Sequence, residues 1–425
     1  MTPGGRERAL RHALAASLVF WALCLPISKS ATYIPLFASA VFGLGLRVSP
    51  GGKLRMPAGV VRLAAIWLLF ALWQCITLLA NGEAPSAAPF ARALDYLPVF
   101  LLAGLACDRG WKERAALASL YVLTSLTAFI IVLGMVQAVT GIVYPLPVQP
   151  FTDGTLLGLF SHHIPAGGFF STLAVISGCL FLFWKSSRRQ KAFFGIMFLL
   201  LLSGSLLSMS RTYFVSLCIT LPLIFFKKNV RTAAAGTAAM AVIIAASIVS
   251  LPPVKTRVAS ILDLRKNPSN VERLYLWRVA RDMIETSPVA GIGYRHWGDR
   301  ISQYTGKYAS EWKFSDASFH HAHNVYLHVA AETGLVGLAL FLAFWVSLLV
   351  LLLRASASAE DGSFTRALTS GSAFAIVNLF IGGLFENNFW TLLIVMLICF
   401  VAALALFVAD GPSLRTEGHG KGSAS

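Results

Sequence analysis

Three short stretches carry side chains able to do chemistry. The first is Ser208-Met209-Ser210-Arg211-Thr212-Tyr213, a lone arginine at the edge of an apolar run. Such an arginine can snorkel to an interface. It can also clamp phosphate, because a guanidinium meets phosphate oxygens in a bidentate fork. The second follows Pro268, where Ser269-Asn270-Val271-Glu272 has capping-box spacing. Beyond it Arg273, Trp277 and Arg281 recur at i, i+4 and i+8, on one face of a helix expected over 270–286, and Arg265 lies just before. That face could lie on anionic headgroups or form an arm covering a polyanionic lipid substrate. The third is Phe319-His320-His321-Ala322-His323-Asn324. Three histidines in four residues invite a zinc reading, but no cysteine and few carboxylates are near, and zinc needs three or four convergent ligands. No metal is expected. An interfacial histidine is one alternative and a general base is the other. In a first helical turn the dipole disfavours imidazolium, so His323 is expected to be neutral near pH 7 and able to accept a proton.

The elements that must position these residues are apolar. Of 425 residues, 56% are hydrophobic and 13% charged, with a mean hydropathy of +0.70. A soluble domain carries about 25% charged residues. The composition therefore indicates an all-α integral membrane protein and excludes a soluble enzyme, a disordered chain and a fibrous repeat. The net charge of +16 suggests nucleic acid at first sight, but basic residues in a membrane protein gather in cytoplasmic loops. The six cysteines lack metal or disulfide spacing and read as small buried hydrophobes.

Twelve apolar segments approach the ~20 residues of a helical span: 12–28, 31–47, 59–80, 92–107, 114–139, 164–184, 191–206, 208–226, 231–250, 324–353, 365–384 and 388–408. The seventh and eighth could equally be one broken helix around 203–211. The first resembles a signal peptide without a clean cleavage site and reads as an uncleaved anchor. Twelve spans leave both termini on one side. The connections on that side hold 21 basic residues, against Lys29, Arg92 and Arg211 on the other, which puts both termini in the cytoplasm. The organisation expected is nine spans in 1–250, a large periplasmic loop over 251–323, three spans in 324–408, and a disordered cytoplasmic tail over 409–425. The loop carries 11 Lys or Arg against 7 Asp or Glu, together with Trp277, Trp297 and Trp312. A polar connection of that length is functional or disordered, and its aromatic content and helical pattern favour function.

His323-Asn324, nine residues, then Gly334-Leu335-Val336-Gly337 resembles the His-[Asn/Ser/Gln]-x9-Gly-x-x-[Gly/Thr/Tyr] signature of O-antigen ligases. The Arg-x-x-x-Trp at Arg273–Trp277, the following Pro288 and Gly291-Ile292-Gly293, the isolated Arg211 and the twelve-span layout are similar to the wider O-antigen ligase and polymerase superfamily. The resemblance implies a glycosyltransferase in the bacterial inner membrane with its site facing the periplasm. Its donor would be undecaprenyl-diphosphate-linked O-polysaccharide and its acceptor a hydroxyl of lipid A–core. It implies catalysis by His323, Arg211 and Arg273 without cofactor or metal, and inversion at the anomeric carbon. Arg265, Arg295, Tyr213, Trp277, Asn324, Lys29 and Arg92 are further substrate-binding candidates. Asn324 is expected to cap or orient, and His320 and His321 to be dispensable.

Two other readings compete. A glycan polymerase of the same superfamily differs in its acceptor, another lipid-linked glycan. A twelve-span transporter would be expected to carry intramembrane charge pairs or broken helices in both halves. Glu332 is the one acid placed midspan, and no internal repeat is present.

Overall fold

The computed structural model describes residues 3–49, 56–105, 107–142, 155–250, 252–263, 267–308 and 320–409. Arg265, Trp312 and the tail beyond 409 lie outside them. The described residues are helical and form no strand. In chain order the helices are α1 (Pro3–Cys24), α2 (Lys29–Arg47), α3 (Ala58–Ala80), α4 (Ala88–Ala93), α5 (Leu97–Leu102), α6 (Arg109–Thr140), α7 (His163–Phe183), α8 (Arg188–Leu207) and α9 (Arg211–Lys228). They continue with α10 (Val230–Ser250), α11 (Pro252–Leu262), α12 (Pro268–Thr286), α13 (Trp297–Arg300), α14 (Ser302–Thr305), α15 (Val325–Ser358), α16 (Phe364–Gly383) and α17 (Leu392–Val408). Among the described residues α3, α6, α7, α8, α15 and α16 are long and apolar enough to cross a membrane.

Helix α17 is apolar on every side, and a helix of that kind belongs in a core. Its residues Ile394–Val408 are all buried, packed among α5, α6, α7 and α16. The peripheral helices invert a soluble pattern. Leu68, Leu69, Leu72, Ile76 and Leu79 of α3 are exposed, as a lipid-facing surface requires.

Contacts distant in sequence define two ends. At one, Asn324 Nδ2 donates to the Leu384 carbonyl at 3.0 Å and Asn81 Nδ2 to the Gly291 carbonyl at 3.1 Å. At the other, the Lys185 N–H donates to the Gly362 carbonyl at 2.8 Å and Thr365 Oγ1 to Glu113 at 3.5 Å. The 34 residues of α15 run between them, about 50 Å at ~1.5 Å per residue.

The expected span over 92–107 is not one helix. Pro89 and Pro98 each sit in a helical first turn, where their missing N–H costs nothing. They restart the chain as α4, a 3-10 turn at Leu94–Tyr96, and the six-residue α5. The end of α5 meets α2, where the Arg47 Nε donates to the carbonyl of Leu101 at 2.7 Å. Helices α8 and α9 are two antiparallel helices rather than one broken one. Ser208-Met209-Ser210 turns the chain between them, with Met209 at φ 54°.

Helix α12 matches the expected helix but starts differently. Asn267 holds the N-cap position and Pro268 the first turn, so the Ser269–Glu272 capping box does not form. Helix α15 breaks at Gly334 (φ 68°, ψ −179°), a conformation open to glycine. The preceding loop docks there in strand-like pairing: Ile292 N–H to Ala331, Gly293 N–H to Glu332 and Leu335 N–H to Pro288, at 2.8–3.0 Å. A Cβ on Gly334 would run into the Val289 carbonyl. The Thr333 carbonyl at the break accepts from Trp73 Nε1 at 2.8 Å. Gly334, the first glycine of the Gly-x-x-Gly pattern, is thus a docking break that fixes the loop against α15.

Candidate functional site

At the loop end a cavity of about 420 Å³ is lined by His162, His163, Ile164, Ser210, Arg211, Thr212, Asn267, Pro268, Ser269, Glu272, Arg273 and His323. These residues are largely helix starts. His162, Ser210 and Asn267 are the N-cap positions of α7, α9 and α12. The start of α15 follows His323 directly. Helix N-termini present unpaired N–H groups and positive dipole ends. Several aimed at one cavity make a place for an anion.

Arg211 is half-buried, and its Nη1 donates to Ser260 O and Oγ at 3.1 and 3.2 Å and to Asn267 Oδ1 at 3.3 Å. It joins the turn before α9 to α11 and α12. The turn itself fits closely against α7: a Cβ on Gly167 would come within 2.6 Å of Ser208 Oγ. Arg273 comes from α12, with Nη1 3.4 Å from Ser269 Oγ and Nη2 3.7 Å from Glu386 Oε2. The two arginines expected to act together do share one cavity.

His323 is not in a helical turn. It has φ 47° and precedes the N-cap, which is Asn324. Asn324 Oδ1 accepts from the N–H groups of Tyr326 and Leu327, both at 3.0 Å, while its amide holds the end of α16. That tie brings Glu386, just past α16, against His323. The His323 Nδ1 lies 3.1 and 3.2 Å from the two carboxylate oxygens. In the neutral ring that nitrogen must carry the proton, so Nε2 holds the free lone pair.

Glu386 is buried, which alone would push its pKa up. His323, His321 and the Asn387 N–H, which donates at 3.0 Å, instead hold it down at about 2. His321 packs edge-on to His323 at 4.2 Å between centroids and puts Nε2 3.8 Å from Glu386. Burial first, then His323, lowers its pKa to about 4. His162 is likewise lowered, by desolvation first and by His323 against the pull of Glu386.

Two expectations change here. Three metal-capable donors do converge, since the ligand atoms of His321, His323 and Glu386 all lie within 4.8 Å of one another. The carboxylate supplying the third comes from a connection 63 residues away. His321 is also part of this cluster rather than a bystander.

The remaining candidates lie elsewhere. Tyr213 is buried, with its ring against Gly168 and Gly382, and does not line the cavity. Trp277 does not line it either, and Arg281 points to solvent and pairs with Glu285 at 2.6 Å. Lys29 is exposed at the start of α2. Arg92 lies 4.0 Å from Asp95. Arg295 is exposed in the turn after Gly293, at φ 63°. Glu386, His162 and His163 are site residues that spacing does not single out, and Glu272, expected as part of a cap, lines the cavity instead. Glu386-Asn387-Asn388 is a polar island between two apolar runs, and a carboxylate there was the available signal.

Residues 196–342 match the family model described as O-antigen ligase. The matched stretch spans α8 to just past the Gly334 break and contains Arg211, Arg273, His323 and Gly334–Gly337. No curated protein matches the chain. The two arginines and the histidine that meet at this anion-ready cavity thus all lie within the stretch that is similar to the O-antigen ligase family.

Proposed function

We propose that the protein is an O-antigen ligase, transferring O-polysaccharide from undecaprenyl diphosphate to a hydroxyl of lipid A–core. The observation that carries this is the meeting of helix N-termini, Arg211 and Arg273 with His323 at one cavity. A diphosphate leaving group gains negative charge as the anomeric C–O bond breaks, and pre-aimed donors stabilise charge that develops in the transition state. Arg211 and Arg273 hold it from two walls. The acceptor hydroxyl donates to Nε2 of His323, its oxygen attacks the anomeric carbon opposite the diphosphate, and the proton stays on the imidazole. Glu386 fixes the tautomer and stabilises the imidazolium that forms. Its net effect is that of a carboxylate behind a general base. Attack from the face opposite the leaving group inverts the anomeric centre.

The His321–His323–Glu386 trio could accept a metal, but Arg273 stands 3.7 Å from the same carboxylate. A guanidinium there opposes a dication and favours the protonic role. We further propose that the chain crosses the inner membrane twelve times, the fourth crossing being the α4–α5 tandem. Both termini then face the cytoplasm, and 251–323 and the cavity face the periplasm.

The test is transfer by purified protein from one lipid-diphosphate glycan donor to two acceptors. A ligase glycosylates lipid A–core. Extension of a second lipid-linked glycan instead would identify a polymerase, and transport without transfer would reject both.

A further inference from the structure

A second cavity of about 420 Å³ opens at the far end of the bundle, between the first turns of α1 and α6. We propose that it binds the phosphate headgroup of an anionic phospholipid from the leaflet at that end. Its walls include Glu7, Arg8 and Arg11 on α1 and Asp108, Trp111 and Arg114 at the start of α6.

The two carboxylates are already engaged. Glu7 accepts from Arg11 at 2.5 Å, and Asp108 accepts from the Trp111 N–H at 2.7 Å, capping α6. Arg8 and Arg114 are exposed and form no ion pair among the described residues. The Nε of Arg11 is buried and has no hydrogen-bond partner among the described residues. Arg47, at the same end, shows the contrast. It is buried, and its Nε and Nη2 donate to the Leu101 and Ala103 carbonyls, so two of its three nitrogens are engaged inside the fold. Arg8 and Arg114 face a void instead.

Two further features fit a lipid phosphate. The positive dipole ends of α1 and α6 flank the cavity, adding to the attraction of the guanidiniums. Trp111 is half-buried with its ring edge-on to Phe407 at 5.6 Å, the half-wet setting of an indole at headgroup depth. Inorganic phosphate offers the same charged oxygens. The lipid is the source argued here because the cavity sits where apolar helices end, and basic pockets in that position bind anionic headgroups.

Native mass spectrometry of the purified full-length protein would test this. The probes are dioleoylphosphatidylglycerol, dioleoylphosphatidylcholine and inorganic phosphate. The glycerol lipid should bind well in preference to the choline lipid. Arg8→Gln with Arg114→Gln should weaken it about 30-fold, from about fivefold per arginine near a surface. Arg8→Lys with Arg114→Lys, which keeps the charge, should retain most of the binding. Arg188→Gln with Arg189→Gln removes equal charge from exposed arginines at the same end and should leave it unchanged. Equal binding of the two lipids, or equal loss in both glutamine doubles, would overturn the proposal. So would phosphate binding that needs Arg8 and Arg114 while lipid binding does not.

Discussion

The two ends of the bundle put basic side chains to different uses. At the far end Arg11 and Arg109 pair one turn away on their own helices, with Glu7 and Glu113, and stay partly wet, while Arg47 and Lys227 tie neighbouring elements through neutral carbonyl and hydroxyl oxygens. At the loop end, basic side chains reach partners far along the chain. Arg211 reaches Ser260 and Asn267, Arg273 reaches Glu386, and Arg300 reaches Asn81 and Glu83. The partly wet one-turn pairs contribute little to stability, since exposed pairs are worth ~0–1 kcal/mol. The loop-end contacts assemble a site, because each fixes one element against another in a semi-buried setting.

Substitutions can sharpen or break that contrast. The largest effect should follow Arg273→Ala or Arg211→Ala. A hydrogen bond to a charged group is worth ~1.5–3 kcal/mol, so donor binding should weaken about 10- to 150-fold. The lysine variants should recover only part, lacking the fork. Isothermal titration with the lipid-diphosphate donor measures this, and full affinity in both alanine variants would remove the clamp. Next is Glu386→Gln. It keeps the shape but loses the charge behind His323, and an orienting partner of this sort is typically worth ~10- to 100-fold. The turnover number should fall while donor affinity holds. Gly334→Ala should cost about 1–3 kcal/mol from its backbone conformation, before the clash with Val289 is counted. A lowered midpoint of thermal unfolding would show it. Smallest should be Arg109→Ala at the far end, with donor binding and unfolding midpoint essentially unchanged.

The pH response should come from the loop end as well. The folded pKa of His321 is about 4, below its usual 6.5, so between these values the unfolded chain binds the extra proton. Stability is therefore complete above about 6.5 and falls as the pH drops toward 4. Glu386, held at about 2 against a usual 4.5, adds a loss between those values. Melts of His321→Asn should be flatter between pH 4 and 6.5, and an unchanged slope would remove His321 as the cause.

Much of this was readable from the chain, and the misses share a cause. Arg211, Arg273 and His323 stood out because a charged or polar group beside apolar runs is costly without a purpose. The α12 helix was visible from its periodicity and Pro288. Asn324 was expected to cap, and it does. Glu386 is not legible locally, because its partner His323 lies 63 positions away and no local pattern joins a residue past α16 to one before α15. Trp277 and Arg281 share the helical spacing of Arg273, but a face wider than the cavity brings only Arg273 to the wall. The break in 92–107 was signalled by Pro89 and Pro98, which hydropathy alone does not weigh.

In the proposed reaction His323 moves the proton while arginines and helix ends hold the diphosphate. The direct measurement is turnover and donor affinity of His323→Ala side by side, in proteoliposomes with lipid A–core present. Loss of a general base costs ~10²–10⁴-fold in rate. Turnover should fall by that amount, with donor affinity within about twofold of the parent protein and no rescue by added divalent metal. Near-normal turnover, or turnover restored by metal, would contradict the account.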